Sequence, residues 1–167
     1  MSDAEVRIVN LEKMRVASVL GFGANPELDA WKKLLNWAGE KGLLGDLAKV
    51  RFFGFNNPDP SQGSPNYGYE QWITLSSEID ADAGIKVKEF PGGLYAVLSC
   101  VGAGNIFPAW QKLVVWCEES IYDFGEGQAL EELLNPEIFI QTDGTFKSPE
   151  SFADALRFEL YLSVEEG

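Results

Sequence analysis

A chain of 167 residues with 46% hydrophobic content is long enough to bury a sizeable core within one domain. Its formal charge of −13 argues against a phosphate-binding surface, so nucleic acid is not an expected partner. The lack of histidine removes Ser-His-Asp and Cys-His catalysis and the commonest metal ligand, Cys100 and Cys117 alone cannot build a thiolate zinc site or a disulfide framework, and no apolar run is long enough to span a bilayer.

In chain order, residues 5–20 are rich in β-formers but broken at Leu11-Glu12-Lys13, which predicts a short strand and then a longer one over 14–20. Gly21-Phe22-Gly23 punctuates. Asn25-Pro26 offers a cap and a first-turn proline. Trp31, Leu34, Leu35 and Ala38 then recur at the spacing of an amphipathic helix that runs to about Lys41 and is ended by Gly42 and Gly45. Residues 50–55 read as a strand, and 56–66, rich in Pro, Asp, Ser and Gly, as an exposed loop. In the strand that follows, Glu70, Trp72 and Thr74 share one face and Tyr69, Ile73 and Leu75 the other.

The second half repeats the first. A single gapless offset places Val6-Arg7-Ile8 on Ile85-Lys86-Val87, Ala17 on Ala96, Gly23-Ala24 on Gly102-Ala103, and Ala30-Trp31 on Ala109-Trp110. It also matches Lys33-Leu34 to Lys112-Leu113 and Trp37 to Trp116; tryptophan is rare, so this points to duplication. At a slightly larger offset Glu70-Gln71-Trp72 matches Glu159-Leu160-Tyr161. The insertion responsible falls within 122–148, where Ala129 to Leu134 suggests a short extra helix and 137–141 a strand. In the last strand Glu159, Tyr161 and Ser163 face one way, while Phe158, Leu160, Leu162 and Val164 form an apolar face.

The expected fold is α+β, an internally duplicated pair of β-β-α-β-β repeats at about 5–76 and 84–165, with antiparallel sheets and one main helix per repeat. The repeats are expected to pack about a pseudo-two-fold axis as a single domain over 1–167, with a cleft where they meet. Duplication brings corresponding positions near that axis. Glu70 with Trp72, and Glu159 with Tyr161, are therefore expected to approach a common cavity from opposite sides.

The run Ile85-Lys86-Val87-Lys88-Glu89-Phe90-Pro91-Gly92-Gly93-Leu94-Tyr95-Ala96-Val97, followed by Trp110-Gln111-Lys112-Leu113 and Trp116, resembles the GyrI-like small-molecule-binding family. The Tyr-Glu-Gln-Trp strand at 69–72 and the Phe-Glu-Leu-Tyr-Leu strand at 158–162 add to the resemblance, which covers nearly the whole chain. That family includes the effector-binding domains of AraC-type and multidrug-responsive transcription activators. The resemblance implies a pocket lined by aromatics around an acidic residue, accepting bulky hydrophobic and often cationic molecules.

Candidate ligand-binding residues are Glu70, Trp72, Tyr95, Trp110, Trp116, Glu159 and Tyr161. Each has a plainer alternative: the two glutamates as solvated sheet-face residues, Trp31 and Trp110 as helix core, Trp37 and Trp116 as helix–sheet packing, and Tyr95 as an ordinary strand tyrosine. Aromatic faces attract cations, and a carboxylate among them adds directional charge recognition. Burial raises a carboxyl pKa, so such a group can also serve as a general base.

Three functions follow from this reading. The first is a stand-alone binder that senses or sequesters amphipathic compounds, since the duplication starts by about residue 6 and leaves no length for a helix-turn-helix. The second, implied by the resemblance, is a hydrolase opening the cyclopropane rings of reactive natural products, with Glu159 or Glu70 as base and Tyr161 or Tyr95 as hydrogen-bond donor. The third is a gyrase-inhibitor-like interaction protein, for which −13 suits a basic surface. A hydrophobic or cationic small molecule is the expected partner, without membrane, metal or cofactor. The charged N-terminus carries no apolar signal core, which favours a cytoplasmic location with reduced cysteines.

Overall fold

The computed structural model describes residues 6–56, 67–75, 85–141, 145–147 and 149–167. The strands are β1 (Arg7–Leu11), β2 (Met14–Gly23), β3 (Phe52–Asn56), β4 (Tyr67–Thr74), β5 (Lys86–Phe90), β6 (Gly93–Val101), β7 (Tyr122–Phe124), β8 (Leu130–Leu133) and β9 (Arg157–Glu166). The helices are α1 (Pro26–Glu40) and α2 (Ile106–Glu119), joined by short 3-10 turns elsewhere. Among the described residues the strands form one antiparallel sheet in the order β1-β6-β9-β8-β3-β4-β2-β5, with β7 added along β9. Among the described residues the fold is α+β, a nine-stranded sheet and two helices.

Both helices lie on one face of the sheet. Beneath α1, Ala30, Leu34, Leu35 and Ala38 pack on Ala17 and Val19 of β2, Phe52 of β3, and Tyr69 and Ile73 of β4. Beneath α2, Ala109, Leu113 and Cys117 recur every four residues and meet Ala96 and Leu98 of β6 and Leu160 and Val164 of β9. The side chains of alternate parity point to the opposite face, where Val16, Phe53, Phe55, Trp72, Phe90, Tyr95, Val97, Leu130 and Tyr161 form a second core that contains no helical residue. Glycine sets the helix–sheet distance at α1: a Cβ on Gly21 would stand 2.2 Å from the Pro26 carbonyl oxygen and 2.9 Å from the Ala30 nitrogen. No helix among the described residues is long and apolar enough to cross a membrane.

Several local expectations change. The stretch read as a helix at Ala129–Leu134 is strand β8, because β3 and β9 hydrogen-bond to it from both sides and override the helical preference of Leu and Glu. The strand expected at 137–141 is a 3-10 turn, Pro136–Ile138, followed by a single bridge from Ile140 to Phe146. The Gly21-Phe22-Gly23 stretch does not interrupt β2, since both Gly21 and Phe22 pair with β4. Asn25 occupies the N-cap position of α1 without a side-chain cap bond, although its carbonyl accepts from the Asp29 amide at 3.4 Å. The loop expected at 56–66 lies, from residue 57 onward, outside the described residues.

Candidate ligand-binding site

A cleft of about 480 Å³ opens on the helix-bearing face, where the N-terminal halves of α1 and α2 flank the middle of the sheet. That size matches a pocket for one drug-sized molecule. Trp31 comes from α1, Phe107 and Trp110 from α2, Tyr69 from β4 and Phe158 from β9. Two carboxylates complete the lining, Glu27 from the first turn of α1 and Glu131 from β8. Among the described residues that line the cleft there is no lysine or arginine.

The pairing of three strands places Glu131. On β3, Gly54 stands opposite Glu131 of β8 on one side and opposite Gln71 of β4 on the other. Tyr69 pairs two residues further along, with Asn56, and so shares a face with Gln71. Its ring lies across Gly54, where an added Cβ would come within 2.2 Å of the Tyr69 oxygen. The missing side chain thus lets the Tyr69 hydroxyl donate to Glu131 Oε1 at 2.9 Å. From the other side Trp110 Nε1 donates to Glu131 Oε2 at 2.8 Å. A second carboxylate is held in the same manner, since the Tyr67 hydroxyl sits 2.6 and 2.5 Å from the two oxygens of Glu27.

Burial raises the Glu131 pKa above the ordinary carboxyl value and the negative charge of Glu27 adds to this, while the bonds from Trp110 and Tyr69 pull it down. Burial likewise pushes the Tyr69 phenol well up, and the adjacent Glu131 pushes it further. Phenol and indole protons satisfy these carboxylates without neutralising them. The cleft is therefore an aromatic slot whose carboxylates have no lysine or arginine beside them among the described lining residues, a suitable environment for a desolvated cation. No group of three or more acidic or sulfur side chains among the described residues converges to hold a metal ion.

Of the seven candidate ligand-binding residues, Trp110 lines this cleft, and Trp31, read from the sequence as helix core, lines it too. Trp72, Tyr95 and Tyr161 meet on the opposite face, where they fill a core. Trp72 packs on Phe55 at 5.1 Å and Phe90 at 5.8 Å, Phe90 on Tyr95 at 6.2 Å, and Tyr95 on Tyr161 at 6.1 Å between ring centroids. Tyr95 is almost fully buried, donates to the Gln128 carbonyl at 2.7 Å, and has its phenol pKa pushed up by burial to about 12.

Glu70 and Glu159 flank that core, and neither lines the cleft. Glu70 accepts from Ser18 and Trp72, each at 2.7 Å, and is paired with Lys88 at 2.6 Å. Glu159 is paired with Arg7 and accepts from Ser99 at 3.2 Å. A third carboxylate on this face, Glu132, binds Arg51 through two bonds of 2.8 and 2.9 Å and accepts from Tyr161 at 2.6 Å. Each acid here has its own cation, so the expected meeting of Glu70 and Glu159 in a cavity gives way to internally neutralised pairs. Trp116 stacks on Tyr122 at 6.1 Å under the far part of α2, away from the cleft.

Glu27, Trp31, Tyr67, Tyr69, Phe107, Glu131 and Phe158 are residues of this cleft and its supports that the candidate set lacked, Trp31 having been read as helix core. Reading 130–133 as a strand would have separated Glu131 from Glu132 onto opposite faces, which is the signal that was available. Tyr69 was placed on the correct face but read only as part of its apolar surface.

The sequence profile of the integron-associated effector binding protein family matches residues 7–164. No curated protein matches the chain in sequence. Among solved structures it is similar to the C-terminal domain of EcmrR, with a TM-score of 0.70 and 14% identity over 98% of this chain and 99% of that one. Against the longer EcmrR chain in a transcription complex with DNA, it spans 58% of the length. A hydrolase from Listeria innocua superposes with a TM-score of 0.65 at 12% identity, covering 99% and 94% of the two chains. SAV2435 bound to tetraphenylphosphonium superposes at 0.50 with 13% identity over 96% and 94%. These likenesses concern the fold. The profile spans almost the whole chain, and on that ground the chain belongs to the integron-associated effector binding protein family.

Proposed function

We propose that the cleft binds bulky hydrophobic cations, with the apolar body of the ligand between Trp31 and Trp110 and its positive group against Glu131. One observation carries this reading. Glu131 is held among aromatic walls by the neutral donors Tyr69 and Trp110, whereas Glu70, Glu132 and Glu159 on the other face each have a basic partner. A cation entering the cleft supplies the missing charge and gains contacts with the aromatic faces, each worth about 0.5–2 kcal/mol. The tetraphenylphosphonium held by SAV2435 is a ligand of this chemistry. Xenobiotic sensing or sequestration follows as the role.

Tetraphenylphosphonium is the first probe, titrated while tryptophan fluorescence is followed, because Trp31 and Trp110 both line the cleft. Saturable quenching that weakens at least tenfold in Glu131→Gln is the expected result. Quenching of equal affinity in the parent and the variant overturns the reading.

The hydrolytic reading has one specific support, the raised pKa of Glu131 beside the Tyr69 hydroxyl, which suits a general base next to a hydrogen-bond donor. In that case Glu131 would take the place assigned to Glu159 or Glu70. Recovery of a cyclopropane substrate with the mass of water added, dependent on Glu131, would identify it.

We also read the strand order as support for an internal duplication. Exchanging β1, β2, β3 and β4 with β5, β6, β8 and β9 turns the order into its own reverse, as a pseudo-two-fold axis between β3 and β8 requires. The cleft lies over that axis, with Trp31 and Trp110 as corresponding walls.

A further inference from the structure

The cleft holds two carboxylates, each bonded to a tyrosine of the same strand. Tyr67 and Tyr69 lie on the same face of β4, two residues apart, and strand geometry therefore separates their attachment points by roughly 7 Å. The first phenol holds Glu27 on α1, and the second holds Glu131 on β8. The indoles of Trp31 and Trp110 line the same cleft. Neither carboxylate has a basic partner among the residues lining the cleft, and the field of Glu27 is felt at Glu131. A ligand with one positive group satisfies one of these acids and leaves the other uncompensated.

We propose that the cleft is selective for dications, molecules with two quaternary or ammonium groups about 7 Å apart on a flat apolar spacer, one group at Glu131 and the other at Glu27. The proposal rests on the cation-binding reading above and narrows its ligand class. A quaternary ammonium interacts through charge and dispersion and needs no acceptor lone pair, so both phenol–carboxylate bonds persist when it binds. The spacer then occupies the slot between the two indoles.

The test compares two probes by calorimetric titration of the full chain at low ionic strength: para-xylylene-bis(trimethylammonium) and its monocation counterpart, 4-methylbenzyl-trimethylammonium. The expected result is a dication affinity about tenfold above that of the monocation, the scale of one additional partly desolvated ion pair. In Glu27→Gln that ratio falls to within about twofold of one, with the melting temperature used to confirm folding. A ratio near one in the parent protein, or a tenfold ratio that survives Glu27→Gln, overturns the dication proposal while leaving single-cation binding at Glu131 intact. Failure of both probes and of tetraphenylphosphonium to bind overturns the cation-binding reading itself.

Discussion

Glu131 sits where folding alone would not favour a carboxylate, between the ring of Tyr69 and the indole of Trp110, with burial raising its pKa. Since the folded state holds this proton more tightly than the unfolded chain, stability contributed by Glu131 falls as pH rises from the unfolded to the folded pKa. Glu131→Gln is therefore expected to melt at a higher temperature than the parent at neutral pH, an advantage that disappears at acid pH where the parent is protonated too. The amide suits the site, because its oxygen accepts from Trp110 while its NH2 donates to the Tyr69 hydroxyl. Thermal unfolding monitored by circular dichroism across pH checks this, and a lower melting temperature at neutral pH contradicts it. Cation binding has the opposite dependence: it favours the ionised acid, so affinity rises with pH through the raised Glu131 pKa and then levels off. Titration of tetraphenylphosphonium from acid to neutral pH should show this rise, with a midpoint above that of an ordinary glutamate, and Glu131→Gln should abolish it. Gly54 supports the same arrangement from below. Gly54→Ala displaces the Tyr69 ring from its bond to Glu131, with an expected cost of about 1–3 kcal/mol in stability and a weaker ligand titration.

The elements that carry the site were legible in the sequence to different degrees, and physical reasons account for the difference. Helix α1 and strand β4 were readable because their apolar residues follow the periods of 3.6 and 2, and the same alternation separated Glu70 and Trp72 from Tyr69 and Ile73 correctly. Strand β8 was not, since Leu-Glu-Glu-Leu has no two-residue hydrophobic period and favours a helix. Only pairing with β3 and β9, which are distant in sequence, makes it a strand. The error at β8 concealed Glu131, so attention passed to Glu70 and Glu159, whose partners Lys88 and Arg7 lie elsewhere in the chain and give no local sign of neutralising them. The position of α1 is itself testable. Its first turns carry Glu27 and Trp31, and its distance from β2 depends on the bare Cα of Gly21. Gly21→Ala forces backbone against backbone, so the expected outcome is a loss of about 1–3 kcal/mol in stability by denaturant unfolding, together with weaker binding of tetraphenylphosphonium as both cleft residues shift. Unchanged unfolding and binding would mean that the helix is seated by its other contacts alone.

For the whole molecule, the distribution of charge matters more than any one pair. The face that carries Glu70, Glu132 and Glu159 balances its acids with Lys88, Arg51 and Arg7, while the described residues lining the cleft include no lysine or arginine and the chain as a whole carries −13. A cation approaching from solvent feels that net field before it reaches Glu131, and a negatively charged protein concentrates cations at a cleft of the same sign. The field extends over about 30 Å at 0.01 M salt but only about 8 Å at 0.15 M, so the association rate of tetraphenylphosphonium is expected to drop several-fold between the two conditions. Stopped-flow fluorescence measures this, with neutral triphenylphosphine oxide as a comparison whose rate should not change. Glu131→Gln separates the scales. It removes one charge of the thirteen in excess, so the salt dependence of the association rate should remain nearly intact while dissociation becomes faster. A salt dependence that disappears with Glu131 would instead assign the attraction to a single ion pair in the cleft and leave the surrounding acidity without a role in capture.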